Sequence, residues 1–217
     1  MKIRQSNAIC ITSFFLFIIF TFLVENFDLK PIGIQNSMVG MATINQFFKE
    51  ILGQSELWYN ITTITGIITL FIVLGFFIFG VIQFIKRKKI AKVDFDIILF
   101  DVYIIFLILI YWIFETYLIN YRPIMLEKVL EPSYPSSHTF FVSSIMGVVI
   151  IIFNNRIKNG VFKNIIKIFS FLIIILTVFG RFMSGVHWFT DILGGVILSI
   201  LLIFLYNSIY LKMYTKK

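Results

Sequence analysis

The chain has 217 residues, 59% of them apolar and 14% charged, with a mean hydropathy of +0.95. A water-soluble domain of this size has no use for 27 Phe or for repeated apolar runs as long as a bilayer is thick, which excludes a soluble enzyme, a disordered tail and a disulfide scaffold. The net charge of +8, from 19 basic and 11 acidic residues, must then be read first as a membrane topology signal.

Apolar windows fall at 8–24, 61–85, 97–114, 137–153, 165–180 and 192–211, each near the length of about 20 residues that a helical span needs. They predict an all-α integral membrane protein, a single membrane domain over 1–217 built as a six-transmembrane-helix bundle without an internal repeat. The first window follows Lys2 and Arg4 but has no small-residue cleavage pattern between Thr21 and Phe27, so it reads as a retained signal anchor. Cys10 within it, the single cysteine, reads as a small lipid-facing residue. The connection 25–60 carries helical spacing, with Met38, Met41, Ile44, Phe48 and Ile51 on one face. That predicts a helix along the membrane surface, either a plain link or a lid beside a site. Asp101 lies inside the third window, where a carboxylate is costly; with Asp94, Asp96 and Lys92 nearby it reads as part of a helix-end ion pair or a bundle-facing hydrogen bond.

The basic residues divide unevenly between the two sides that six spans define. Fourteen belong to the termini and the loops at 86–96 and 154–164 with their flanks, against five, Lys30, Lys49, Arg122, Lys128 and Arg181, on the other side. The positive-inside rule places both termini in the cytoplasm and the 25–60 connection outside. The charge balance is thereby explained without a nucleic-acid partner.

Both histidines of the chain, His138 and His187, fall at outward-facing boundaries, as do Arg122, Arg181 and Asp191. Singly, each has a plain structural role as interfacial anchor, helix-end residue or N-terminal cap. In order they spell Arg122-Pro123, then Pro135-Ser136-Ser137-His138, then Arg181, five residues, His187, three residues and Asp191. This resembles the type 2 phosphatidic acid phosphatase family, whose patterns are Lys-x6-Arg-Pro, Pro-Ser-Gly-His and Ser-Arg-x5-His-x3-Asp on one side of a six-span bundle. The chain departs from the family pattern at Glu115, where Lys is expected, at Ser137, where Gly is expected, and at Gly180, where Ser is expected. The last two exchange small residues for small ones. Glu115 puts an anion where a cation would stand, so no phosphate-binding role is carried to it, and Lys128 is a candidate source of the missing charge.

A phosphate ester carries two or more negative charges, for which permanently charged, planar guanidiniums are suitable clamps; Arg122 and Arg181 fit. Backbone N–H groups around Ser136 and Ser137, at the start of the fourth span, and the Ser136 hydroxyl would add donors. His187 and Asp191, spaced i,i+4 at a predicted helix start, would share a face, letting the carboxylate fix the imidazole tautomer. The resemblance implies that His187 is the nucleophile forming a phosphohistidine, Asp191 its partner and His138 the general acid, with no metal or cofactor. The same His138, His187 and Asp191 would also satisfy a two-His, one-carboxylate metal site, which the two arginines disfavour. The expected function is hydrolysis of a lipid phosphate or lipid pyrophosphate, such as phosphatidic acid, phosphatidylglycerol phosphate or undecaprenyl pyrophosphate, at the outer face of a bacterial plasma membrane. The alternatives are a lipid-linked phosphotransferase using the same site and a non-enzymatic membrane transporter or scaffold.

Overall fold

The computed structural model describes residues 2–126 and 129–214, and among them places helices α1 (Ile3–Asn26), α2 (Ala42–Leu52), α3 (Glu56–Arg87), α4 (Phe95–Thr116), α5 (Ser137–Arg156), α6 (Gly160–Ser184) and α7 (Phe189–Tyr214). All but α2 are long and apolar enough to cross a membrane, and the β pairing among the described residues is confined to isolated bridges, Lys30 with Val39 and Tyr121 with Pro132. The chain is an all-helical, multi-pass membrane protein. Each spanning helix runs past its apolar window at one end or both, because the helical hydrogen-bond ladder continues through polar residues.

α5 is the central helix: 61% of its most apolar stretch is buried, against 17% for α1 and for α3. It packs against α6 and α7, while α3 lies on α6 and α1 on α7. Without a hydrophobic drive between helices in lipid, close approach depends on small residues. A Cβ at Gly147 of α5 would stand 2.4 Å from Ile203 Cδ1 of α7, and one at Gly195 of α7 would stand 2.9 Å from Thr139 Cβ of α5. The outer faces carry exposed Phe15, Phe22, Phe71, Ile105 and Ile168, which acyl chains would cover in a bilayer.

α1 and α7 run antiparallel. Ser6 Oγ donates to Phe204 O (3.2 Å) and Asn207 Nδ2 donates to Ser6 Oγ (3.0 Å), so the start of α1 and the end of α7 lie side by side. The same end holds an ionic cluster: Arg87 pairs with Asp94 (2.6 Å), and Arg156 with Asp96 (2.5 Å) and Asp94 (3.0 Å). The ion pair expected of Asp101 is formed by Asp94 and Asp96 instead. Lys92 contributes its carbonyl oxygen to Arg87, not its ammonium to Asp101. Asp101 sits five residues beyond Asp96, about 7.5 Å deeper along α4, with Oδ2 where a Cβ on Gly80 of α3 would be 3.3 Å away.

The segment 25–60 differs from its predicted pattern. Met41 adopts a left-handed conformation (φ 47) and α2 starts only at Ala42, so Met38 and Met41 are not continuous with the helical period, and Met38 and Ile51 are exposed. The docked face is instead Ala42, Asn45 and Phe48. Asn45 Nδ2 donates to Gly40 O and to Thr190 Oγ1, both at 2.9 Å, and Asn45 Oδ1 accepts from Thr190 N at 3.1 Å. Phe48 stacks on Phe189 (centroids 4.4 Å apart) and edges onto Phe182 (5.3 Å). α2 therefore clamps the end of α6 and the start of α7 at the end of the bundle opposite the Arg156 cluster.

Candidate active site

α6 stops because Gly185 turns left-handed (φ 70) at a point where a Cβ would lie 2.3 Å from Gly53 O, a position that excludes every other residue. The turn delivers His187 and Trp188 across the end of the bundle before α7 begins at Phe189. His187 thus precedes the helix on which the i,i+4 spacing would have placed it. Asp191, in the first turn of α7, accepts from Trp188 N at 2.9 Å, the back-bond of a capping box. The two side chains are 1% and 0% exposed, with Nδ1 and Oδ2 3.7 Å apart, too far for a direct hydrogen bond.

Ser133 fills that gap. Its hydroxyl donates to Asp191 Oδ2, and its oxygen stands 3.1 Å from His187 Nδ1. Arg122 Nη1 lies 3.2 Å from the other ring nitrogen, Nε2. A guanidinium can only donate, so Nε2 carries a lone pair and Nδ1 carries the proton, which it donates to Ser133. Burial first, and then the positive charges of Arg122 and Arg181, hold the His187 imidazole well below its ordinary pKa, so it is neutral. Asn120, also buried, reaches Asp191 Oδ1 at the limiting distance of 3.5 Å and accepts from Gly40 N (3.3 Å), tying the site to the 25–60 segment.

Arg122 is carried by the connection between α4 and α5. Its backbone N–H donates to Glu131 O (3.0 Å), Ser133 N donates to Asn120 O (2.9 Å), and Trp188 Nε1 donates to Tyr121 O (2.7 Å). Its Nε lies 2.8 Å from Glu131 Oε2, an ion pair by distance whose N–H is not aligned for a hydrogen bond. Arg181, near the end of α6, is 1% exposed and rests its guanidinium 5.2 Å from the Tyr59 ring centre, and that guanidinium has no ion-pair or hydrogen-bond partner among the described residues. A cleft of about 120 Å³ opens between Arg122, His187, Ser133, Ser137, Glu115 and Glu131. At Ser137 and Tyr111 it adjoins an apolar groove of about 500 Å³ between α3, α4 and α5, where His138 faces Gly66.

The structure thus gathers Arg122, His187 and Asp191, and brings Arg181 and His138 within electrostatic reach of His187. Ser137 lines the cleft. Ser136 does not: it is fully buried, its N–H donates to Asp191 O (2.9 Å) and its hydroxyl accepts from Thr139 Oγ1 (3.0 Å), so it joins α5 to α7 instead of facing an anion. The free N–H groups of the first turn of α5 begin at Ser137. Lys128 lies outside the described residues. Among the described residues no group of three or more His, Cys, Asp and Glu side chains converges as a metal cage, and His187 Nε2 faces a guanidinium. Ser133, Asn120, Asn45 and Glu131 escaped the sequence reading. Only Ser133 had a local signal, three residues before Ser136.

The family model of the PAP2 superfamily matches residues 109–214. A structure described as the first transmembrane PAP2 type phosphatidylglycerolphosphate phosphatase, from Bacillus subtilis, superposes with a TM-score of 0.63 at 20% identity, over 94% of this chain and 96% of that one. No curated protein matches the sequence. The matched stretch, just under half of the chain, runs from within α4 to the end of α7 and contains Arg122, His138, Arg181, His187 and Asp191 in the family's order; over these residues the chain is similar to the PAP2 superfamily.

Proposed function

We propose that this chain hydrolyses the phosphate ester of a membrane lipid through a phosphohistidine on His187. The observation that carries the reading is Arg181, a buried guanidinium with no counter-anion, on the same site as a neutral imidazole whose Nε2 lone pair is free of a proton. An unpaired buried cation is costly, and a phosphate group is the anion whose chemistry the neighbouring histidines can use. In the resting state Arg122 donates to Nε2; a phosphate oxygen takes over that donor and exposes the lone pair. Nε2 then attacks phosphorus, the bond from phosphorus to the lipid oxygen breaks, and His138 gives that oxygen its proton. Arg122 and Arg181 hold the equatorial oxygens, with the N–H groups from Ser137 onward as further donors. The Nδ1 proton of His187 stays on the ring, stabilised through Ser133 by Asp191. Water, deprotonated by His138, attacks phosphorus, and the bond from phosphorus to Nε2 breaks, which returns the lone pair to His187 and releases orthophosphate.

The solved relative is described as a phosphatidylglycerolphosphate phosphatase, and the groove beside His138 suits a lipid tail. Glu115 and Glu131 both line the cleft, which favours a single phosphate over a pyrophosphate. The unequal distribution of basic residues supports both termini in the cytoplasm and the site facing outward, in a bacterial plasma membrane. The test is orthophosphate release by purified protein in detergent with EDTA, on phosphatidylglycerol phosphate, phosphatidic acid and undecaprenyl pyrophosphate, with His187→Ala in parallel. Release abolished in the variant supports the reading. Parent and variant equally silent on all three would overturn it.

A further inference from the structure

At the end of the bundle opposite the phosphate site, a second apolar groove of about 510 Å³ runs between α3, α5 and α6. Gly75 and Phe79 of α3, Phe153 and Arg156 of α5, and Phe169 and Ser170 of α6 line it. Along α5 it extends from Met146 to Arg156, about 15 Å at the helical rise, which is half the thickness of a hydrocarbon core and the depth of one leaflet. Two observations say what would fill it. The Ser170 hydroxyl, 0% exposed, lines the groove with no hydrogen-bond partner among the described residues. At the mouth the carboxylates of Asp94 and Asp96 are taken by Arg87 and Arg156, whereas Lys163 has no ion-pair partner among the described residues. Lys163 is three and seven residues before Ile166 and Ser170, on the stripe of α6 that lines the groove.

We propose that this groove is a binding site for an anionic phospholipid, with one acyl chain between Gly75 and Phe169, an ester carbonyl accepting from Ser170 Oγ, and the phosphate held at the mouth by Lys163. Basic pockets between transmembrane helices recognise anionic headgroups by this chemistry. A Cβ at Gly75 meets nothing within 4 Å, so a large side chain there fills the groove without displacing the helices.

The test titrates the full-length protein, in nonionic detergent with saturating orthophosphate to occupy the phosphate site, with dioleoyl phosphatidylglycerol or dioleoyl phosphatidylcholine, reading the rise in Tm. The glycerol lipid should half-saturate at a concentration at least about fivefold lower than the choline lipid, the factor that one lysine near a headgroup supplies. Lys163→Gln should erase that preference, and Gly75→Phe should erase the shift with both lipids while leaving the lipid-free Tm and orthophosphate release unchanged. Gly75→Leu serves if the Phe variant does not fold. Equal half-saturation by the two lipids in the parent overturns the anionic class. A parental shift in the folded Gly75 variant overturns the location, and a change in particle mass in that variant assigns the groove to a second copy of the chain.

Discussion

Ser133→Ala tests the link that joins His187 to Asp191. The substitution removes one hydroxyl, leaving Nδ1 and Oδ2 3.7 Å apart with no bridging atom, while Trp188 N still donates to the carboxylate at 2.9 Å. The fold is therefore retained, and the loss falls on the imidazolium-like charge that develops when Nε2 bonds to phosphorus. A hydrogen bond to a charged group contributes about 1.5–3 kcal/mol, which converts to a fall in kcat/KM of about 10- to 150-fold. Most of it should appear in kcat, because the contact strengthens in the transition state, and KM should change by less than about threefold. Orthophosphate release in detergent, measured from pH 5 to 9, is the assay, and Ser133→Thr, which keeps the hydroxyl, should recover most of the rate. A Ser133→Ala enzyme within twofold of the parent across the pH range would refute the relay and leave Asp191 acting on His187 from a distance.

Glu131→Gln removes the carboxylate 2.8 Å from Arg122 Nε and should free that guanidinium for substrate, lowering KM for a phosphate monoester about two- to fivefold; a raised KM would make Glu131 a positioning partner of Arg122 instead. Glu115→Lys should raise turnover of a lipid pyrophosphate relative to a monophosphate, and no relative gain would count against the charge argument. The depressed pKa of His187 keeps the folded protein from taking up a proton that the unfolded chain binds below about pH 6.5. Stability from this group is thus complete above that pH and falls as pH drops, by up to about 1.4 kcal/mol per unit. The Tm of the parent should show that acid slope and His187→Ala should show a shallower one. Asn45→Ala leaves Thr190 N without its acceptor in a buried contact and should cost about 1–3 kcal/mol, read as a lower Tm, together with reduced activity because Thr190 adjoins Asp191.

Much of the fold is legible in the chain because a bilayer admits few solutions: backbone groups must be satisfied within each span, so an apolar window of sufficient length is a helix. The six windows, the α-helical class and the family motifs with their fixed gaps follow from local sequence alone. So does the pairing of Arg122, His187 and Asp191 at one boundary, since each is named by its spacing and by the ends of its span. What periodicity cannot contain is where a helix gives way to a turn. His187 and Asp191 look like one helical face, but Gly185 ends α6 and α7 begins only at Phe189, which opens the gap that Ser133 enters from a different connection. Ser136 sits in a motif whose letters suggest a phosphate ligand, yet its N–H is turned to Asp191 O by the packing of α5 on α7 at Gly195. Asn45, 145 residues from Thr190 along the chain, and Glu131 against Arg122 carry no local pattern. The sequence by itself determined the spans, their order and the chemical types at the site. The tertiary structure alone decided which donors face the cleft and which are consumed by packing, because a hydrogen bond is fixed within a few tenths of an ångström by contacts between elements that the linear pattern leaves unconnected.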